Sequence, residues 1–223
     1  MTYIENVYMC LAAPLIVAAV CAHRYSRRPL LFILSGMTAC LFSSYISSFA
    51  AKAVGAAALD ASLEISPLVE EVLKLTPLVF YMMVFEPERN EAAGGALMIA
   101  IGFATLENVC FLLNTDAGNT LHLMIRGFST GAMHVVCGAM ASVVLRGIRS
   151  GVLFRVIATL GLLCLSITCH GIYNVLVNQE GAAEVIGHLL PLVLGAATLA
   201  VRRKVYGIIG GMPPGQAAGT EKQ

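Results

Sequence analysis

Charge is what this chain has least of. Asp, Glu, Lys and Arg make up only 12% of its 223 residues, against 58% hydrophobic, where a soluble domain of this size carries about 25% charge. A water-soluble globular domain is excluded, and the class is a polytopic membrane protein. No Lys/Arg cluster interleaved with aromatic residues occurs and the net charge is +1, so nucleic acid is set aside as a partner. The seven cysteines (10, 21, 40, 110, 137, 164 and 169) never form a CxxC and never fall outside a long apolar run. A disulfide framework or zinc ribbon is therefore not expected, and these cysteines read as small apolar packing residues. The HExxH spacing of conventional zinc proteases is missing, as are a GxSG serine element and any internal repeat, and Asp60 and Asp116 stand in loops instead of pairing within a span.

What the chain does have is long apolar runs. A membrane-crossing helix needs about 20 mostly apolar residues, and seven segments qualify: roughly 4–22, 30–51, 65–85, 95–114, 121–145, 153–177 and 184–201. The expected fold is an all-α, polytopic transmembrane helix bundle. It forms a single domain over residues 1–206, followed by a disordered cytoplasmic tail from Gly207 to Gln223 that contains Pro213, Pro214 and several glycines. Arg24, Arg27, Arg28, Arg89, Arg146, Arg149, Arg155, Arg202, Arg203 and Lys204 all flank loops on one side of a seven-span arrangement, while Glu5, Asp60, Glu64, Asp116, Glu180 and Glu184 dominate the other. The positive-inside rule places the N-terminus outside and the C-terminus in the cytoplasm, as expected for a multi-pass protein of a cell (inner) membrane. The first span has its positive charges behind it and Glu5 in front, which fits a retained anchor and not a cleaved signal peptide. His23, His122 and His188 fall near span ends and read as interfacial. The GxxxG spacing at Gly127/Gly131 is expected to permit close helix packing, and the one at Gly147/Gly151 lies partly in a loop.

Against this apolar background a few ionisable residues stand out: Glu70, Glu71 and Lys74 in the third span, Glu107 in the fourth, His134 in the fifth and His170 in the sixth. Each costs at least a few kcal/mol in hydrocarbon unless paired, solvated or metal-bound, so together they mark a functional site. Lys74 can pair with Glu70 at i+4 or Glu71 at i+3. The adjacent glutamates project about 100° apart, which predicts different tasks for them. Asn108 follows Glu107, Arg126 precedes His134, and Asn174 shares a face with His170. At 1.5 Å per residue, Glu71, Glu107 and His170 lie ~9–10 Å from the outer ends of their spans, and His134 ~20 Å. The expectation is one site, nearer the outer face.

Glu70-Glu71-Val-Leu-Lys74, then Gly102-Phe103-Ala-Thr-Leu-Glu107-Asn108, then Arg126 with His134, then His170-Gly-Ile-Tyr173-Asn174 resemble the PrsW family of bacterial intramembrane proteases over roughly residues 60–178. They are more distantly similar to the CAAX-processing and bacteriocin-immunity membrane proteases. The resemblance implies an endopeptidase acting on a membrane-anchored, single-span protein in the lipid bilayer, such as an anti-sigma factor, with the cut near the extracytoplasmic face. Peptide hydrolysis needs an activated water, and two imidazoles and one carboxylate on Zn²⁺ would leave a fourth position open for it. Our reading assigns Glu107, His134 and His170 as metal ligands and Glu71 as base. Glu70 is paired with Lys74 or Arg126, Asn174 is an oxyanion donor, and Asn108 and Arg126 are supporting residues. A metal-free glutamic mechanism would use the same residues. Two alternatives from other classes are a proton- or cation-coupled transporter and a CAAX-type prenyl-protein endopeptidase, whose site should open to the cytoplasm.

Overall fold

The structure is a computed structural model that describes residues 4–87, 89–114, 120–147 and 152–209. It is all-helical, with no strand among the described residues. Seven long helices, α1 (Ile4–Cys21), α2 (Arg24–Val54), α4 (Ser66–Phe85), α5 (Arg89–Asn114), α6 (Thr120–Gly147), α7 (Val152–Val177) and α8 (Ala182–Ile209), match the seven expected spans, with the short α3 (Ala58–Asp60) between α2 and α4. Helices α2 and α5 begin about six residues before the apolar runs do. A helix continues past the hydrocarbon wherever its next residues can be solvated, so hydropathy underestimates its length. Arg28 and Glu91 form an ion pair across these extensions, which puts the starts of α2 and α5 at the same end of the bundle. Helix α8 runs to Ile209, three residues into the segment expected to be an unstructured tail; 210–223 lie outside the described residues.

Four stretches are long and apolar enough to cross a membrane by length and composition: Ile4–Cys21, Arg27–Val54, Glu91–Asn114 and Val156–Val177, with Ala182–Thr198 a shorter apolar helix. Helix α4 carries Glu70, Glu71 and Lys74 and α6 carries Arg126 and His134, which make these two less apolar than the four. Large apolar side chains such as Val17, Phe49, Phe80, Met83, Phe128 and Val193 stand on the exterior, the pattern of a surface solvated by lipid.

The interior is organised around α5. Its buried face includes Ala92, Ala93, Ala96, Ile99, Ala100, Phe103 and Leu106. A Cβ on Gly36 of α2 would lie 2.0 Å from the Ile99 carbonyl oxygen, and one on Gly102 of α5 would lie 2.0 Å from that of Ile33. The two glycines let these backbones touch reciprocally, the small-residue contact that replaces hydrophobic driving force in lipid. Gly138 seats α6 on Ala96 and Ala100 in the same way. The Gly127/Gly131 spacing does not act as expected, since an added Cβ meets only Asn108 Nδ2 at 3.9 Å at the first position and nothing at the second. Gly151 lies outside the described residues.

Between α2 and α4 the chain turns on Gly55, a left-handed C-cap (φ 69°) whose N–H bonds back to Ala51 and Lys52. It then passes through α3 and one π-helical turn, Ala61–Ile65, that runs straight into α4. Such turns displace carbonyls from the regular ladder and recur at functional sites. Here the Ser62 carbonyl accepts a hydrogen bond from Asn174 Nδ2 at 2.9 Å, which ties α7 to the start of the helix bearing both glutamates.

Candidate metal centre and active site

Four helices bring the expected residues into one buried network. On α4, Glu71 Oε1 accepts from Lys74 Nζ at 2.5 Å and from His170 Nδ1 of α7 at 2.9 Å. Lys74 Nζ also lies 2.8 Å from His134 Nδ1 of α6, and His134 Nε2 bonds Glu107 Oε2 of α5. The His134 and His170 ring centroids are 5.1 Å apart at 89°. Phe103, one turn before Glu107, backs this layer: its ring centroid is 4.7 Å from Lys74 Nζ and 5.1 Å from that of His134. Gly102 brings α5 close to α2, Phe103 supports Lys74 and His134, and Glu107 reaches His134, so each named position of that motif has a separate task.

Proton positions follow from donor inventory. An ammonium has no acceptor, so Nδ1 of His134 accepts from Lys74 and its Nε2 proton goes to Glu107. An ionised Glu71 only accepts, so His170 holds its proton on Nδ1 and leaves a lone pair on Nε2. That lone pair faces Glu70 Oε2 at 3.7 Å. Glu70 Oε2 is buried without a hydrogen-bond partner among the described residues. Two buried lone-pair atoms directed at each other are unfavourable unless a proton or a cation lies between them.

The donor set fits a metal ion. Among the described residues, Glu70, His134 and His170 each offer a ligand atom, and these atoms lie within 4.8 Å of one another. Two donors ~2.0–2.2 Å from a tetrahedral ion stand ~3.4 Å apart, close to the Glu70–His170 separation. Glu71 holds the far nitrogen of His170, the carboxylate–histidine support that orients metal-bound imidazoles.

Several expected roles change. Glu70, not Glu107, groups with the two histidines, because Glu107 is occupied by Arg126 (Nη2 to Oε1, 3.5 Å) and by His134. Lys74 takes Glu71 and Arg126 takes Glu107, so neither cation neutralises Glu70. Arg126 also donates to Asn108 Oδ1 at 3.0 Å and stacks on Phe111, while Asn108 Nδ2 donates to the Gly127 carbonyl. One N–H of the Asn174 amide is given to the Ser62 carbonyl, which braces α7 against the π turn. Sequence reasoning also missed a second polar cluster. Ser129 Oγ lies 2.8 Å from His188 Nδ1 and 3.1 Å from Tyr173 OH, and Thr130 Oγ1 lies 2.7 Å from the same hydroxyl. His188 is thus buried between α6, α7 and α8 instead of interfacial. The i,i+4 pair Glu184/His188 was the sequence signal available for it.

Access is one-sided. His134, His170 and Glu71 are at most 5% exposed, whereas the side chains of Glu107, Arg126 and Glu70 are 25%, 18% and 15% exposed, so the layer opens towards these three residues. Buried carboxylates and imidazoles gathered by four helices form a membrane-embedded group that could hold a metal ion. The family model for the PrsW family intramembrane metalloprotease matches residues 12–201. That is most of the chain, which belongs to this family and is an intramembrane metallo-endopeptidase. No curated protein and no solved structure matches it.

Proposed function

We propose that this protein cleaves single-span, membrane-anchored proteins near the extracytoplasmic face of the cell (inner) membrane. In this reading Glu70, His134 and His170 hold the catalytic metal, and Glu107 is the base. The orphaned Glu70 oxygen facing the His170 lone pair carries this reading. The donor set, two imidazoles and a carboxylate, suits zinc. A bound ion would supply Lewis acidity, lowering the pKa of a water and polarising the scissile carbonyl.

The chain's own residues divide the remaining work. Glu71 is balanced by an ammonium and shut away from water, so it positions His170 and Lys74. Glu107 borders the exposed side, where its carboxylate can take a proton from the attacking water and return it to the leaving amine. Arg126 fixes Glu107 through Oε1, and Oε2, which accepts from His134 Nε2 in this structure, becomes free for this exchange once the histidine proton moves to Nδ1. For His134 to present Nε2 as a lone pair, its proton must sit on Nδ1, so Lys74 must release that atom and keep Glu71. The arginine pattern and the shared ~9–10 Å depth of Glu71, Glu107 and His170 support an outward-facing site with the N-terminus outside. An anti-sigma factor, the substrate the family resemblance implies, would present its cleavage segment there.

The test is metal content and cleavage measured together, on purified full-length protein in liposomes with a single-span reporter. Glu70→Gln should lose both the metal and the activity. Glu107→Gln should keep the metal and lose ~10²–10⁴-fold in rate. A Glu107→Gln protein that cuts at more than a third of the parent rate would remove Glu107 as base, and metal retained by Glu70→Gln would remove Glu70 as ligand.

A further inference from the structure

A cavity of about 40 Å³ adjoins the catalytic layer on the side away from Glu107 and Arg126. Lys74 and His134 form its roof, and the walls include Leu78, Ile99, Ala100, Cys137, Gly138 and Leu162. Every one of these six lies after Lys74 in α4, before Phe103 in α5, after His134 in α6 or before His170 in α7. Because the helices alternate in direction, all belong to the same end of the bundle. The cavity is therefore an apolar recess directly beneath the reacting groups.

Two of its lining residues, Leu75 and Leu163, also line a shallow groove on the bundle exterior with Val72, Thr76 and Val79. Val72, Thr76 and Val79 are exposed, and Leu75 and Leu163 are half-buried. Thr76 spends its hydroxyl proton on the Val72 carbonyl, so this outer face offers lipid, or an apolar helix, no free donor. Leu75 of α4 and Leu163 of α7 thus border both the lipid-facing groove and the space under Lys74 and His134.

We infer that the α4/α7 seam closed by Leu75 and Leu163 is where a substrate's transmembrane segment docks, and that the recess behind it receives a small aliphatic side chain beside the scissile bond. The occupant is an apolar single-span helix, because the groove is uncharged, faces lipid and is continuous with the catalytic layer. The recess sets the size limit: at 10–15 Å³ for each water-sized atom, it holds about three non-hydrogen atoms. Alanine and valine side chains fit and phenylalanine does not. This inference rests on the protease reading and adds to it a direction of approach and a residue preference.

Two measurements on full-length protein in liposomes test it. The cut in a Leu/Ala-rich single-span reporter is mapped by mass spectrometry, and the residue on each side of it is then changed to Ala, Val or Phe. Phe should be cut at least tenfold more slowly than Ala on one side of the bond, within the ~10–200-fold that small size differences command in apolar pockets. Leu78→Ala, which deepens the recess, should raise the Phe-to-Ala rate ratio at least tenfold; Ala141 also lines the recess, and Ala141→Val, which narrows it, should lower the Val-to-Ala ratio. Separately, a photoreactive benzoylphenylalanine at Val72 or Val79 should capture the reporter, and one at exposed Val17 of α1 or Val193 of α8 should not. Equal rates for Ala and Phe on both sides, or capture at Val17 or Val193 in place of Val72, would overturn the inference. Capture at Val72 with no cleavage by the parent protein would count against the protease reading and leave the docking seam standing.

Discussion

Replacing Lys74 by Met separates two accounts of how the site is held together. Lys74 is 8% exposed, with its Nζ 2.5 Å from Glu71 Oε1, 2.8 Å from His134 Nδ1 and 4.7 Å from the Phe103 ring centre. Methionine fills nearly the same helical volume, so little of the effect comes from a void. If these contacts were ordinary side-chain hydrogen bonds in a membrane protein, at ~0.6 kcal/mol each, the loss would be ~1 kcal/mol. If Lys74 neutralises a buried carboxylate, its removal strands that charge and costs about 3–5 kcal/mol. The charge account also predicts recovery. In Lys74→Met/Glu71→Gln the amide can still accept from His170 Nδ1 and no charge is stranded, so at least half of the loss should return. Reversible unfolding in mixed micelles, followed by circular dichroism while the denaturing detergent is titrated, measures all three proteins. A Lys74→Met protein within about 1 kcal/mol of the parent, or a double variant no more stable than the single one, would refute the buried ion pair.

Three further outcomes follow from the same geometry. Glu71→Gln should weaken metal binding 10–100-fold, as measured by chelator competition, because it loosens the support of His170 without removing a ligand, and it should also destabilise the bundle by leaving the buried Lys74 ammonium without its carboxylate. Gly102→Ala should destabilise by ~1–3 kcal/mol or more, since the new Cβ meets the Ile33 backbone at 2.0 Å and no rotamer can relieve it, whereas Gly131→Ala has open space and should gain up to ~1 kcal/mol from helix propensity; thermal unfolding of the two side by side is the check. Ser129→Ala should cost ~1–3 kcal/mol by leaving His188 and Tyr173 short of a buried partner while changing cleavage little. A hundredfold loss of rate at unchanged melting temperature would instead place that cluster in the chemistry.

The architecture was legible because a membrane imposes a length rule. Apolar runs near 20 residues marked all seven long helices, and the charged and histidine residues inside four of them meet in one buried network. The reciprocal contact of Gly36 and Gly102 was not legible, because the two residues are 66 positions apart and share no sequence spacing. The visible GxxxG at Gly127/Gly131 instead points where nothing packs closely. His188 was misplaced for a related reason: near a span end, hydropathy cannot tell a side chain facing headgroups from one turned inward onto Ser129.

The glutamate pair shows most clearly where local reasoning stops. Adjacency on a helix separates Glu70 and Glu71 by about 100°, which requires two roles, but the i+3 and i+4 reach of Lys74 admits either pairing. The choice comes from outside α4. His134 on α6 offers Lys74 a second acceptor on the Glu71 side, and His170 on α7 donates to the same Glu71 oxygen. Those two tertiary contacts draw the ammonium to Glu71 and leave Glu70 with an unmet oxygen opposite a histidine lone pair. In the proposed mechanism the ligand role therefore goes to Glu70, whose neighbour is already satisfied, and proton transfer goes to Glu107, the most exposed carboxylate of the layer.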